Sequence, residues 1–551
     1  MVDVKPTLFS PVRSWVTRHS KTILVMVTLA CLLPFADKAI HIDDPLFVWA
    51  GRQMQIRWWD PYGFDVNWYG WKMPMHQVTK NPPLASAFIA LLASIFHENE
   101  FMLHVGFLLQ AIAVILGTYV LGRRLCDHPL HTALATLFAP AFMVSSTSLM
   151  CDVLMVAFWV WAIVFWIRGL DKEQPLLLLL ASLFVSASSL AKYFGFALIP
   201  LLLVYTLNRT GKPGWWLIWF LIPIVVIASY EAKMRSLYGH GLIWDAFNYA
   251  SGSTTHQLDT IPLKLLTALA FVGGCSAIGV ILTPMLWRPS SWFAPPIAIL
   301  ILFFVTWIMS GSISAHPDGL ARIGIAALWT VLIAGGLVIL ALPILDWIHH
   351  KNAESLLLGL WIWGTFAFCI LNWTINGRSI LPMIPAVAII LHRRIELTRL
   401  ATPFKVNLAL CGAAILSLVI SLADYRLADA GRTAAEEIQR KFASRTAKTI
   451  WFQGHWGFQY YAQANGFRPL DVKDPQTKVG DILVLPSNNT NLRGLPENKV
   501  DRIATVEVPV TPFVTTMSRA VGAGFYADLD RPLPFAFGAV PPEEYYILRF
   551  K

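Results

Sequence analysis

Long runs of apolar residues recur through the first three quarters of the chain. A helix that crosses a membrane needs about 20 mostly apolar residues, and the sequence contains about thirteen runs near that length. The runs lie near residues 22–38, 101–121, 130–148, 150–167, 175–190, 194–208, 214–230, 262–286, 292–310, 321–345, 354–372, 379–391 and 404–422. The pattern therefore predicts a polytopic α-helical membrane protein with about thirteen transmembrane helices.

The composition supports this class. Charged residues make up 14% of the 551 residues and hydrophobic residues 56%, whereas soluble proteins carry roughly 25% charged residues. A water-soluble enzyme, a disordered chain and a small disulfide-rich domain are excluded. The 23 Trp residues fit membrane interfaces, where Trp is enriched.

The basic residues indicate the orientation in the membrane. Four of them precede the first apolar run: Lys5, Arg13, Arg18 and Lys21. No convincing cleavage site follows the run, so we expect an uncleaved first helix with its N-terminus in the cytoplasm. Alternate loops carry further basic clusters, so most of the net charge of +10 is explained by topology. An odd number of spans then places residues 425–551 outside the cytoplasm.

The first segment predicted to lie outside spans residues 39–100 and is rich in Trp, Tyr and Pro. Its apolar part, Leu84 to Phe96, is about thirteen residues long and too short to cross a bilayer. We therefore expect an amphipathic helix lying in the membrane interface.

The sequence divides into a membrane domain over residues 1–424 and a small soluble, extracytoplasmic α/β domain over residues 425–551. The second part carries 16 Lys and Arg against 13 Asp and Glu, so we expect no nucleic-acid binding. Its pattern predicts helices at 430–444 and 458–465 and strands at 449–452, 481–486 and 503–509. The six Cys residues form no CxxC pair, and the sequence gives no metal-ligand spacing.

Ionisable residues at the ends of apolar runs are the informative ones, because a charge in hydrocarbon costs several kcal/mol unless it is paired or hydrated. Asp43 and Asp44 directly follow the first run. Such an acidic pair can supply a general base or hold a divalent cation. The alternative is that the pair caps a helix that starts at Pro45.

Three more charged residues lie at the predicted outer ends of later runs. Asp152 begins the fourth run, where an acidic residue also suits the helix dipole. Lys192 follows the fifth run and has snorkelling as its alternative role. Arg378 precedes the twelfth run, and its guanidinium group matches a phosphate. Together, these carboxylates and cations predict an outer site suited to a phosphate leaving group and an activated hydroxyl.

The order of these features resembles a known family. An acidic pair, an aromatic loop and Pro82-Pro83-Leu84 are followed by the Asp of the fourth run, a Lys-x-x-Gly motif at Lys192 and an Arg-x-x-Leu-Pro-x-x-Pro motif at Arg378. This resembles the GT-C glycosyltransferases that use polyprenyl-phosphate sugars, of the family-39 type. That type includes protein O-mannosyltransferases and lipid A aminoarabinose transferases. The resemblance covers about residues 20–400.

The resemblance implies a reaction and residue roles. A sugar would pass from a polyprenyl phosphate to a hydroxyl of a lipid, glycan or protein acceptor, at the outer face of a bacterial cytoplasmic membrane, in one inverting displacement. Asp43 would be the base, with Asp44 in the second acidic place and Asp152 supporting the acceptor side. Lys192 and Arg378 would contact the lipid phosphate. No cofactor is required, and a divalent metal at the acidic pair is the alternative.

The resemblance also identifies a position near the start of the short outer helix. Asn81 stands where many family members have His or Lys before the Pro-Pro-Leu motif. Lys80, one residue earlier, would supply the missing cation, so both residues are assigned to the lipid-phosphate site.

Other functions remain open from the sequence. A transporter or flippase for polyprenyl-linked lipids or glycans would also place charges around a lipid phosphate. Transporters usually contain structural repeats with broken helices in matching positions, and the sequence shows no such repeat. A ligase that uses diphosphate-linked glycans would have a larger late loop, and a scaffold would need none of these charged residues.

Overall fold

The computed structural model describes residues 10–252, 261–286, 295–313, 319–443, 448–496, 498–529 and 531–551. In these residues the α-helices are α1 (Ser10–Leu32), α2 (Asp44–Ile56), α3 (Met75–Val78), α4 (Leu84–Phe96), α5 (Glu100–Leu125), α6 (Pro129–Leu137), α7 (Pro140–Ser145), α8 (Cys151–Lys172), α9 (Pro175–Ala191), α10 (Leu198–Thr210), α11 (Leu221–Tyr238), α12 (Leu242–Gly252), α13 (Ile261–Cys275), α14 (Ala277–Leu286), α15 (Pro295–Ile313), α16 (Gly319–His350), α17 (Ala353–Leu371), α18 (Gly377–Ile380), α19 (Ile384–Thr398), α20 (Pro403–Ile438) and α21 (Trp456–Ala464).

The β-strands are short and lie in the first outer segment and the last hundred residues. They are β1 (Asp65–Asn67), β2 (Lys72–Pro74), β3 (Ile450–Phe452), β4 (Arg468–Pro469), β5 (Ile482–Pro486), β6 (Val500–Val508), β7 (Val514–Thr515), β8 (Met517–Ser518), β9 (Ala523–Gly524), β10 (Ala536–Phe537) and β11 (Glu543–Phe550).

The chain is a multi-pass membrane protein. Within the described residues, seven helices are long and apolar enough to cross a membrane, and there are eight if α13 and α14, which meet at 84°, form one bent span. Over the described residues, the apolar runs predicted from the sequence coincide largely with helix, but several of the helices are short or interrupted. Residues 292–294 of the ninth run lie outside the described residues. The count of thirteen spans therefore stays a prediction.

The interruptions have a local cause. The run at 130–148 is divided into α6 and α7, and α7 begins at Pro140. The run at 379–391 is divided by a 3-10 turn, Leu381–Met383, with Pro382 inside it. Proline lacks a backbone N–H and clashes with the preceding helical turn, so each of these prolines begins a new helical segment.

The last apolar run continues far beyond its predicted end. Helix α20 has 36 residues, which gives a length of about 54 Å. The helix predicted over residues 430–444 is present as far as residue 443, where this described segment ends, but it continues from the last span. The alanine-rich sequence after Asp424 favours helix and contains no proline that would end it. The predicted domain boundary at residue 424 lies inside this helix.

A mixed five-stranded sheet forms near the C-terminus, with the strand order β4-β3-β5-β11-β6. Strand β3 is parallel to β4 and β5, whereas β11 is antiparallel to β5 and β6. The predicted strands at 449–452, 481–486 and 503–509 and the predicted helix at 458–465 are present as β3, β5, β6 and α21. Strand β11, which lies inside the sheet, was not predicted. The assignment of this region as a separate soluble domain stays a prediction.

The first outer segment contains α2, the β1–β2 hairpin, α3 and α4, and α4 has the predicted bounds. This segment is hydrogen-bonded to the C-terminal region. The Val472 N–H donates to the Gly70 carbonyl oxygen at 2.9 Å, and the Gln459 side chain donates to the Asn67 carbonyl oxygen at 2.8 Å. The outer segment and the C-terminal region therefore form one continuous layer next to the membrane helices.

Candidate active site

A cavity of about 900 Å³ lies between the helical part of the chain and this layer. It contains six of the seven residues that the sequence assigned to a site. They are Asp43, Lys80, Asn81, Asp152, Lys192 and Arg378. The cavity therefore gathers residues from the first outer segment, from α8, from the end of α9 and from α18.

Two carboxylates and two cations form a linked group in the cavity. Arg378 Nη2 is 3.0 Å from Asp43 Oδ2, and Arg378 Nη1 is 4.0 Å from Asp152 Oδ2. Lys192 Nζ is 2.5 Å from Asp152 Oδ1. Asp152 is 2% exposed at its side chain, while Asp43 is 30% exposed. Asp43 is therefore the carboxylate that a molecule in the cavity can reach.

Helix ends position Asp152 and Lys192. Helix α8 begins at Cys151, so Asp152 lies in its first turn, where the helix dipole favours a negative charge. Helix α9 ends at Ala191, and Lys192 adopts an extended backbone before a 3-10 turn. A Cβ atom at Gly195 would lie 2.4 Å from the backbone of Ser188. The glycine of the Lys-x-x-Gly motif therefore allows this turn to pack against α9.

Arg378 is positioned by its neighbours in a short helix. The Asn376 side chain accepts a hydrogen bond from the Ser379 N–H at 2.8 Å and caps α18. The Gly377 N–H donates to the Phe525 carbonyl oxygen at 2.7 Å, and a Cβ atom at Gly377 would lie 2.4 Å from the Phe525 ring. The C-terminal region thus fixes the backbone next to Arg378.

The two residues of the acidic pair have different surroundings. Asp44 is fully buried and does not line the cavity. Its carboxylate accepts backbone N–H groups from His41 at 3.0 Å and from Leu149 at 2.9 Å. Burial raises the pKa of Asp44 to about 7, against the opposing effect of Lys38 and of these hydrogen bonds. The side chain of Asp43 makes no hydrogen bond that caps α2, so the capping alternative does not account for it.

Lys80 and Asn81 lie on another wall of the cavity. Lys80 Nζ donates to the Gln77 carbonyl oxygen at 2.8 Å and lies 5.4 Å from the centre of the Tyr249 ring. The Asn81 side-chain oxygen accepts a hydrogen bond from Cys151 Sγ at 3.6 Å, which connects it to the start of α8. Both residues line the cavity together with Arg378 and Lys192. Lys80 makes no ion pair with Asp43 or Asp152.

The C-terminal region supplies cavity residues that the sequence did not identify. His455, Trp456, Thr490, Asn491 and Tyr526 all line the cavity. Trp456 has a φ of +64°, a strained value for a bulky residue.

Tyr526 connects the site to a buried ion pair. Its ring centre lies 5.8 Å from Arg378 Cζ, and its hydroxyl donates to Asp424 at 2.8 Å. Asp424 is paired with Lys38 at 2.5 Å, and both side chains are fully buried. Thr516 also donates to Asp424 at 2.6 Å. In the sequence, Lys38 ends the first apolar run and Asp424 follows the last apolar run. Two opposite charges at such positions are the signal that could have identified this pair.

Both Asp44 oxygens accept backbone amides, and Asp44 does not line the cavity, so Asp43 is the residue of the acidic pair that faces it. In the described part of the chain, no group of three or more His, Cys, Asp or Glu side chains is placed to hold a metal ion. Arg378 and Lys192 are positive charges next to Asp43 and Asp152, and a divalent metal at the acidic pair stays a prediction.

Part of the chain matches a known protein family. Residues 80–230 match the family described as dolichyl-phosphate-mannose-protein mannosyltransferase. The matched segment contains Lys80, Asn81, Asp152 and Lys192. The resemblance expected from the sequence motifs is confirmed over this segment.

Solved structures with similar chains include three glycosyltransferases. ArnT from Cupriavidus metallidurans bound to undecaprenyl phosphate is 14% identical, with 86% of this chain and 93% of that chain covered and a TM-score of 0.42. The Archaeoglobus fulgidus oligosaccharyltransferase is 12% identical, with coverages of 83% and 65% and a TM-score of 0.48. The arabinofuranosyltransferase AftD from Mycobacteria is 11% identical, with coverages of 97% and 40% and a TM-score of 0.38. A comparison with curated proteins gives no match.

Proposed function

We propose that the protein transfers a sugar from a polyprenyl phosphate to an acceptor hydroxyl at the outer face of a bacterial cytoplasmic membrane. The observation that supports this most directly is the linked group of Asp43, Asp152, Lys192 and Arg378 in one cavity. It combines a reachable carboxylate with two cations, which suits a reaction that removes a proton and releases a phosphate. The family match over residues 80–230 supports the same class of reaction.

The cations would bind the lipid phosphate. The Arg378 guanidinium group can donate two hydrogen bonds to phosphate oxygens, and the Lys192 ammonium group adds a second positive charge. Arg378 is paired with Asp43 in the structure. A bound phosphate would replace Asp43 on Arg378, so donor binding would release the Asp43 carboxylate for catalysis. Asp152 would hold Lys192 in place.

The reaction would then follow in one step. The acceptor oxygen attacks the anomeric carbon while the bond from that carbon to the phosphate oxygen breaks. Asp43 takes the proton of the acceptor hydroxyl, and the lipid phosphate leaves with the bonding electrons, stabilised by Arg378 and Lys192. Attack opposite the leaving group inverts the anomeric configuration. These groups need no metal ion.

The cavity also has an apolar side that would take the first isoprene units of the donor. Phe194 and Phe196 from the turn after α9 line it, together with Phe368 and Leu371 from α17. Leu371 is 70% exposed, so this side opens toward the surface of the helical part of the chain. We place the lipid chain here, with the 425–551 region on the outer side of the membrane.

The reaction itself is tested with material from cells. Mass spectrometry of cell-envelope glycans, with and without the gene, would identify the sugar that the protein adds. The purified protein should then release polyprenyl phosphate from the matching labelled donor, and NMR of the product should show the inverted anomer. Movement of intact donor across reconstituted vesicles without loss of its sugar would instead support the flippase alternative.

Replacing either cation should weaken donor binding. For Arg378→Ala and for Lys192→Ala, we expect the Kd for polyprenyl phosphate to rise about tenfold or more, since hydrogen bonds to charged groups contribute about 1.5–3 kcal/mol. Isothermal titration in detergent measures this. Arg209→Ala is the matched control, because Arg209 is also in an ion pair with a carboxylate, Asp171, but does not line the cavity. Unchanged affinity in both cavity variants would remove these residues from the donor site.

A further inference from the structure

A second cavity, of about 630 Å³, lies between the first outer segment and the C-terminal sheet. One wall comes from α2 and β1, and the other from β3, α21 and the residues after β4. Its volume falls within the range of about 300–1,000 Å³ that small-molecule sites occupy. The charged group of the candidate active site does not extend into it, because none of Asp43, Asp152, Lys192 and Arg378 lines it.

The walls of this cavity, which we call the outer cleft, are held in place from both sides. The Lys72 N–H donates to Asp471 at 3.0 Å, and the Asn67 side chain donates to the Leu470 carbonyl oxygen at 3.2 Å. Asp471 also accepts the Lys473 N–H at 2.8 Å. These bonds join the two walls directly, so the outer cleft is formed before any ligand enters.

The lining combines aromatic rings with planar amides. Trp49 and Phe64 supply rings, and Gln53 and Gln463 supply amides. Within the described residues, the side chains of Gln53 and Gln463 have no hydrogen-bond partner, so both amides are available to a ligand. Sugars present apolar C–H faces and several hydroxyl groups, and rings next to free amides match both features.

The charges of the outer cleft exclude a second phosphate site. Its two cations, Arg52 and Lys72, are outnumbered by three lining carboxylates, of which Asp65 is paired with Lys72 at 3.3 Å. Two further carboxylates, Asp471 and Asp474, line the cleft without a cation in ion-pair distance among the described residues. The cleft is therefore unfavourable for an anionic headgroup, in contrast to the Arg378 end of the active-site cavity.

The two cavities are separated by aromatic side chains. Trp49 lines the outer cleft and Trp68 lines the active-site cavity. Their rings meet edge to face, with centroids 6.2 Å apart. Trp68 also contacts the His455 ring, at 4.6 Å between centroids. A ligand in the outer cleft would therefore be separated from the active-site cavity by one layer of side chains.

We infer that the outer cleft binds a saccharide without net negative charge. The inference goes beyond the proposed function and does not require that the saccharide reach Asp43, since the Trp49–Trp68 contact separates the two cavities. Sugar units would be held by Trp49, Gln53 and Gln463.

Saccharide binding can be measured without the donor. The full chain in detergent would be tested by saturation-transfer NMR against neutral tetrasaccharides built from glucose, mannose, galactose or N-acetylglucosamine, and against phosphorylated forms of each. We expect at least one neutral probe to bind. The Gln53→Ala/Gln463→Ala double variant should weaken that binding about 30-fold, since two hydrogen bonds of roughly 1 kcal/mol each are lost and about 1.4 kcal/mol corresponds to tenfold.

Matched variants make the result specific. Gln55→Ala changes the next glutamine of α2, which contacts Ser94 outside the cleft, and should leave binding unchanged. Arg378→Ala should weaken donor binding but not saccharide binding. The inference is overturned if no neutral probe binds, if only phosphorylated probes bind, or if the double variant binds like wild type. Saccharide binding without any sugar transfer would contradict the proposed reaction and leave the cleft assignment standing.

Discussion

Asp43→Asn should lower sugar transfer by about 10²–10⁴-fold while the protein still folds. Asp43 is the carboxylate of the cavity that is open to a ligand, with 30% of its side chain exposed. The variant keeps the size of the side chain and removes the base, and a positioned general base contributes about 10²–10⁴-fold to a rate. The turnover number, measured from release of polyprenyl phosphate, should fall by that factor.

Donor affinity distinguishes a base from a structural role. Since Asp43 is paired with Arg378 at 3.0 Å in this structure, its loss should leave the Kd for polyprenyl phosphate unchanged or lower it. Glu437→Gln is the matched control, because Glu437 is in an ion pair with Lys441 outside the cavity. A turnover number within twofold of wild type, or loss of donor binding, would contradict the role of Asp43 as the base.

The position of the site could be predicted because ionisable residues are rare in apolar runs. Asp152 and Lys192 lie at the ends of α8 and α9, and Arg378 lies in the short helix before α19. A charge at such a position needs a partner or water, so opposite charges at the same membrane face are expected to come together. The sequence therefore predicted which charged residues would come together, but not the distances between them.

The different environments of Asp43 and Asp44 could not be read from their adjacent positions. Asp44 faces the backbone amide of Leu149, which is 105 residues away in the sequence. Only the folded chain shows that this contact buries one carboxylate and leaves the other in the cavity. The same limit applies to Tyr526, which reaches Arg378 from the C-terminal region.

The C-terminal region was only partly predictable for a related reason. Strands β3, β5 and β6 have enough apolar residues to be recognised. Strand β11 begins with two glutamates and was missed, although its pairing with β5 and β6 places it inside the sheet. The formation of β11 depends on its pairing with strands that are distant in the sequence, and the local sequence pattern does not indicate this pairing.

The contacts of Asp424 connect the C-terminal region to the candidate active site. Asp424 accepts hydrogen bonds from Lys38, Thr516 and Tyr526, so it joins the segment after α1, helix α20 and the segment that faces Arg378. A buried carboxylate with three donors fixes all of them in one arrangement. Loss of this carboxylate would remove the hydrogen bond that holds the Tyr526 hydroxyl and loosen the wall beside Arg378.

Asp424→Asn should therefore destabilise the protein strongly and lower transfer activity as well. Removing one partner of a buried ion pair costs about 3–5 kcal/mol, because the Lys38 charge stays buried without a carboxylate. The apparent Tm from the fluorescence of the 23 Trp residues would measure the loss. A double variant, Lys38→Met/Asp424→Leu, removes both charges and should recover part of the stability, but not the hydrogen bond to Tyr526.

The control is an ion pair on the same helix that is open to solvent. Asp429 and Arg432 are 2.6 Å apart, with side chains 33% and 22% exposed. Such pairs contribute about 0–1 kcal/mol, so Asp429→Asn should change the apparent Tm little. If Asp424→Asn unfolds at the same temperature as Asp429→Asn, the buried Lys38–Asp424 pair does not hold α20 to the segment after α1. If the double variant regains stability and full activity, Tyr526 is held beside Arg378 without Asp424.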